Sequence, residues 1–271
     1  MSADTIPAPG RKRSGKAGGI GRGVRTYLPP IVLMASILIV WELAVSAFAI
    51  PKAILPSPSA IGAVLIDKRD RFADNLGVTL IEIILGFLMG LIIGMGSAIL
   101  IFYSRLFERT VYPIIIIIQV VPIFAIAPLL IIWFGFGMTP KIIITAIVVF
   151  FPITVNMVVG LRSADAGVIN LMRSYKATEW QTFRYVRLPT SLPLLFAGIQ
   201  TGITYSVIGA VIAEWVGSEK GIGNLMITAN SISRTDIVFG SIFLVGVVGI
   251  VLFVTSQLVG RFLTPWQRLE Q

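Results

Sequence analysis

The sequence predicts an all-α protein that crosses a membrane six times, and three observations carry that prediction. Hydrophobic residues fill 56% of the 271 positions and charged residues only 13%, with a mean hydropathy of +0.91. A helical bundle in lipid needs that much apolar surface, and a soluble domain does not. Six apolar runs have the length that crosses a hydrocarbon core. Between the fourth and fifth lies a polar, cationic island over residues 163–193, too well patterned for a linker.

Composition closes off several chemistries. The chain has no cysteine and no histidine, which excludes disulfide scaffolds, thiol catalysis, histidine acid–base work and the usual zinc or haem ligation. No metal, cofactor or catalytic residue is expected. The formal charge of +9 reads as topology rather than nucleic-acid binding, because lysine and arginine accumulate on the cytoplasmic side of membrane proteins.

Residues 1–28 are rich in Gly, Ser, Lys and Arg with little to bury, and are expected to form a disordered basic cytoplasmic tail near anionic headgroups. Gly10, Gly15 and Lys16 have the spacing of a phosphate-binding loop. Ala17, however, stands where a Ser or Thr must hold magnesium, and no strand precedes the motif. Residues 29–271 then form one six-span membrane domain. The first span, residues 31–50, is read as uncleaved although Ala47 and Ala49 resemble a signal-peptidase site. It is too long for a signal core and holds Glu42 near its middle. Pro51, Pro56 and Pro58 follow, with Ser57 or Ser59 placed to cap a short amphipathic helix.

Span two, residues 78–103, repeats glycine at Gly86, Gly90 and Gly94, a face that lets another helix approach closely. Glu82 lies near its outer end, where it is expected to snorkel. A short turn, residues 104–110, carries Arg105 and Arg109. Span three, residues 111–134, is interrupted by Pro113, Pro122 and Pro128, with Gln119 just before the second. Such a break survives at membrane depth where protein or a water-filled cavity satisfies the freed backbone groups, so it suits a kinked helix and a transport pathway equally. Span four, residues 141–161, contains Pro152 and Asn156. Span five, residues 192–213, carries Thr201, Thr204 and Tyr205 as a polar stripe, with Gln200 and Ser206 nearby. An outer loop beginning at Glu214 leads to span six, residues 236–260, which ends at Arg261 and Arg268.

Six spans place both termini on one side. With that side cytoplasmic, fifteen of the 22 lysines and arginines lie on inner segments, and the asymmetry puts the island in the cytoplasm. Within it, Val168, Leu171, Met172 and Tyr175 share one helical face. After a break, Thr178 and Gln181 form a capping box for a second helix. That helix carries Trp180, Phe183 and Val186 on one side, with Arg184 and Arg187 nearby, and Leu188-Pro189 is expected to stop it. The polarity of the island also suits a segment lying on its own bilayer.

The island resembles the EAA loop of ABC importer permeases, E-A-A-x3-G-x9-I-x-L-P. Val186, Leu188 and Pro189 occupy the I-x-L-P positions, and the stretch from Ala177 to Pro189 is similar to the nitrate/sulfonate/taurine branch. The likeness continues through LPSPSAI at 55–61, APLLIIWFGFG at 127–137 and GAVIAEWVGSEKGIGNLM from Gly209, and so covers nearly all the chain from about residue 30. Asn170, Leu171 and Met172 stand where Glu-Ala-Ala is usual, and Lys176 stands at the glycine. The runs 175–178 and 213–217 resemble the subgroup thought to import pyrimidine thiamine precursors or riboflavin.

The resemblance implies a type I ABC importer permease subunit of a bacterial inner membrane, six-span, with both termini cytoplasmic and no ATP site of its own. It implies two copies of a cytoplasmic ATPase, an extracytoplasmic solute-binding protein and a second permease copy, taken as a homodimer. The residues it assigns to ATPase coupling are Met172, Tyr175, Lys176, Ala177, Thr178, Glu179, Trp180, Phe183, Arg184, Leu188 and Pro189. For the translocation pathway the polar residues of the spans are the candidates: Gln119, Asn156, Thr201, Thr204, Tyr205, Ser206 and Glu214. Interhelical hydrogen bonding is the structural alternative for most of them, and an interfacial position for Glu214. Two rival readings remain at this point. One is an ion-coupled carrier using Glu42, Glu82 and Glu214, and the other is a membrane scaffold without transport.

Overall fold

The computed structural model describes residues 19–263, and every regular element among them is helical. Gly10, Gly15, Lys16, Ala17 and Arg268 lie outside the described residues. The chain divides into two compact units, one ending at Ile50 and the other beginning at Pro51.

Helix α1 (Gly19–Ala47) belongs to the first unit. Its backbone is already helical over residues 19–28, where an unstructured tail was expected, because extending a helix costs far less than nucleating one. The part long and apolar enough to cross a membrane is Leu28–Ala47. Glu42 therefore sits toward its C-terminal end rather than at its middle.

In the second unit, α2 (Pro58–Asp67) starts at Ser57, whose Oγ accepts the Ala60 N–H at 3.3 Å, with Pro58 in the first turn. Three long helices form the centre: α3 (Arg69–Tyr103), α6 (Met138–Arg162) and α9 (Leu188–Gly217). Helix α6 runs between the other two. Small residues permit this. A Cβ on Gly90 of α3 would stand 2.7 Å from Val149 Cβ, and one on Gly198 of α9 would stand 2.9 Å from the Pro152 carbonyl oxygen. In lipid, where apolar burial gives little, such close backbone approach supplies the packing energy. Ile144, Val149, Ile153, Met157 and Leu161 of α6 are all buried as a result.

Between α3 and α6, the chain makes a broken span. Helix α4 (Arg105–Val120) begins at once, because the Ser104 Oγ accepts the Phe107 N–H at 3.4 Å. The expected turn at 104–110 is thus almost entirely helical. Helix α4 meets α5 (Ile123–Phe134) at 104°. The break falls at Val121, which is extended (φ −75°, ψ 122°) because Pro122 disfavours the helical conformation before it. Pro113 and Pro128 stay inside their helices. Counting this bent pair as one, six segments of the described chain are long and apolar enough to span a membrane.

Helices α7 (Ala166–Ser174) and α8 (Glu179–Thr182) connect α6 to α9. Leu188-Pro189 does not stop the second of them. A five-residue π-helical turn, Phe183–Arg187, carries α8 straight into α9, and the Leu188 N–H bonds to the Phe183 carbonyl. The widened turn accommodates the ring and the missing donor of Pro189, which a regular α-helix could not. Helices α10 (Ile222–Ser231) and α11 (Thr235–Leu263) complete the fold.

Candidate functional site

Functional candidates gather at the two ends of the α3–α6–α9 core. At one end α7 and α8 form a small platform. Asp165 caps α7, its Oδ1 accepting the Val168 N–H at 2.9 Å. The helix closes in a Schellman turn, with Ala177 N–H on the Met172 carbonyl at 3.0 Å and Lys176 N–H on the Arg173 carbonyl at 2.9 Å. Lys176 adopts φ +55°. A glycine takes this left-handed conformation freely, whereas a lysine pays about 1–2 kcal/mol. The lysine at the usual glycine position therefore keeps the bend and strains it. Helix α8 opens with the capping box expected from the sequence: Thr178 N–H to Gln181 Oε1 at 2.7 Å, and Gln181 N–H to Thr178 Oγ1 at 3.2 Å.

The platform's aromatic residues play two different parts. Trp180 is 64% exposed and Phe183 only 6%. The Phe183 ring lies between Trp180 (centroids 5.6 Å apart, planes at 26°) and Tyr103 at 5.9 Å. Phe102 meets Tyr103 edge-on at 5.0 Å, and the Arg187 guanidinium lies over Phe102 at 4.7 Å. This column ties α8 to the end of α3. Phe183, expected on the presented face, instead belongs to the core with Ile101, Leu161 and Leu195. Leu188 and Pro189 are half-buried, as are Met172 and Ala177. Tyr175, Lys176, Thr178, Glu179, Trp180 and Arg184 remain exposed, beside the exposed Leu171.

The expected pathway residues separate in the same way. Gln119 is exposed on α4 two residues before the break, and Thr201, Thr204 and Tyr205 share an exposed face of α9. Asn156 is half-buried and donates to the Pro152 carbonyl at 2.7 Å. Ser206 is fully buried and donates to the Ile203 carbonyl at 2.7 Å. Asn156 thus keeps part of its surface accessible, and Ser206 borders an apolar cavity between α3, α9 and α11 with Phe87, Ile203 and Leu252.

Glu214 is buried as well, and so is Glu82, which does not snorkel. At the opposite end of the core, Lys141 of α6 donates to Glu82 Oε1 of α3 at 2.7 Å and to Ser218 Oγ at 2.6 Å. Thr79 Oγ1 donates to Glu214 Oε1 at 2.6 Å and accepts the Ile222 N–H at 2.9 Å. The Gly223 N–H donates to Glu214 Oε2, and the Gly221 N–H to Asn75 Oδ1 at 2.8 Å. Gly221 has φ +120°, and a Cβ there would enter the Glu214 carboxyl. The cluster thus binds α3, α6, α9 and the start of α10 around one turn. Sequence reading missed it because the partners come from separate spans. The available signal was two acids inside apolar runs, with Gly221 and Gly223 just downstream. Among the described residues no group of acidic side chains is arranged to hold a metal ion.

Comparison with known proteins adds the family context. The profile described as binding-protein-dependent transport system inner membrane component matches residues 86–269. The formylaminopyrimidine transport permease protein ThiX of Halalkalibacterium halodurans is 31% identical, over 91% of this chain and 99% of its own. The riboflavin transport system permease protein RibX of Chloroflexus aurantiacus is 32% identical, over 88% and 89%. In fold, the chain is similar to a structure of the inward facing MetNI methionine ABC transporter, with a TM-score of 0.65 and 19% identity over 73% of this chain and 98% of that one.

Proposed function

The chain belongs to the binding-protein-dependent transport system inner membrane components, and from that membership we propose that its α7–α8 platform docks on a separate ATPase while the exposed polar face of α9 lines the solute path. It is a multi-pass inner-membrane permease subunit of an ABC importer with the type I fold. The subunit has no ATPase activity of its own, and it works in a dimeric permease arrangement with an ATPase and a substrate-binding protein.

The observation that carries the docking role is the pairing of exposed Trp180 and Tyr175 with a Phe183 anchor that locks the platform to α3. A presented aromatic residue gives binding energy, and a rigid anchor passes motion on to the spans. Both termini and the platform lie in the cytoplasm, two copies of the chain face each other as a homodimer, and two ATPases serve them. Gln119, Thr201, Thr204 and Tyr205 form the polar part of the path. The solute is a nitrogen heterocycle, a pyrimidine thiamine precursor or a riboflavin-like compound. Support for this comes from the relatives named for such solutes.

Because the chain has no native cysteine, single cysteines at Tyr175 and Trp180 test the arrangement directly. They are expected to cross-link to the ATPase and to resist membrane-impermeant thiol reagents applied from outside. Outside labelling would invert the topology, and labelling only from inside without any ATPase adduct would remove the docking role. Uptake of an alkanesulfonate, but not of a pyrimidine or flavin, would move the substrate to the sulfonate branch.

A further inference from the structure

Four carboxylate oxygens meet where α3, α6, α9 and the start of α10 converge. Three of them have donors: Lys141 Nζ on Glu82 Oε1, Thr79 Oγ1 on Glu214 Oε1, and the Gly223 N–H on Glu214 Oε2. The fourth, Glu82 Oε2, is buried without a donor, and the Glu82 and Glu214 carboxyl groups lie within reach of each other. An acceptor thus faces an acceptor. Charge does not balance either. Among the described residues Lys141, from α6, is the cation that faces the two acids, while α3 contributes only the Thr79 hydroxyl and α10 only a backbone N–H.

We propose that Glu82 and Glu214 hold one proton between them, carried on Glu82 Oε2 and donated to Glu214, so that the cluster with Lys141 is electrically neutral. Two carboxylates in contact at low dielectric repel, and one of a close pair keeps its proton for that reason. The same proton supplies the donor that the fourth oxygen lacks, removing the cost of a buried, unpaired acceptor. The turn at 218–223 is then fastened by a buried cluster of zero net charge. A water or a small cation is the competing occupant of the same gap.

The assembled transporter in detergent distinguishes these. Glu82→Gln keeps an oxygen for Lys141 and offers an amide N–H to Glu214. It is expected to leave the unfolding midpoint within about 2 °C of the parent, while Glu82→Ala lowers it by roughly 5 °C or more. Glu82 and Glu214 are the fully buried carboxyl groups among the described residues. The native protein should therefore show a protonated-carboxyl infrared band that shifts in heavy water and is lost in Glu82→Gln. Absence of that band from the native protein overturns the proposal. So does a Glu82→Gln midpoint as low as that of Glu82→Ala, which would mean that an ionised carboxylate faces a water or cation there.

Discussion

Replacing Trp180 and Phe183 separately with alanine should produce opposite results, although both are aromatic and stand three positions apart. Trp180 is 64% exposed. With about 250 Å² for the side chain, some 160 Å² remains for a partner to cover, at most about 4 kcal/mol of apolar burial. Its stacking on Phe183 contributes roughly 0.5–1.5 kcal/mol to the free subunit. Trp180→Ala should therefore weaken ATPase affinity by about 30- to 1,000-fold, corresponding to about 2–4 kcal/mol. The melting temperature of the isolated subunit should fall by only a few degrees. Phe183 is 6% exposed and sits inside the aromatic column. Phe183→Ala should cost about 3–5 kcal/mol of stability through the cavity it leaves. The assays are ATPase titration against the detergent-solubilised permease and thermal unfolding of each variant. Unchanged affinity in Trp180→Ala, or Phe183→Ala as stable as the parent, would refute the division of roles.

Two further substitutions test other elements. Lys176→Gly should relieve the left-handed strain at φ +55° and raise hydrogen-exchange protection of the last turn of α7 by about 1 kcal/mol. Unchanged protection would mean that the turn is not strained. Gly90→Leu should push α3 away from α6, since even a Cβ would lie 2.7 Å from Val149 Cβ. Loss of folded, monodisperse protein in size-exclusion chromatography is the expected outcome, and native behaviour would place that face elsewhere.

The break at Pro122, the caps at Ser57 and Thr178 and the close face of Gly86, Gly90 and Gly94 are all legible in the amino-acid sequence. Each rests on a local rule: a ring without a donor, a hydroxyl one turn from a free N–H, or a missing Cβ every fourth residue. Leu188-Pro189 obeys such a rule in appearance only. The π-helical turn before it supplies another way to absorb a proline.

Fold class and the apolar spans follow from the chain alone, because crossing a membrane demands about twenty apolar residues and a helix satisfies its own backbone within them. Periodicity also shows two helical segments around a bend within residues 163–193, but not that the second runs on into α9. Tertiary structure alone decided which side chain of each helix turns inward. Phe183 joins the core while Trp180, three residues earlier, stays out. Glu82 finds Lys141 at 59 residues' separation, and Thr79 finds Glu214 at 135. Such pairings depend on how three helices are rotated and set against one another, and a one-dimensional pattern holds the faces of each helix but not its neighbour.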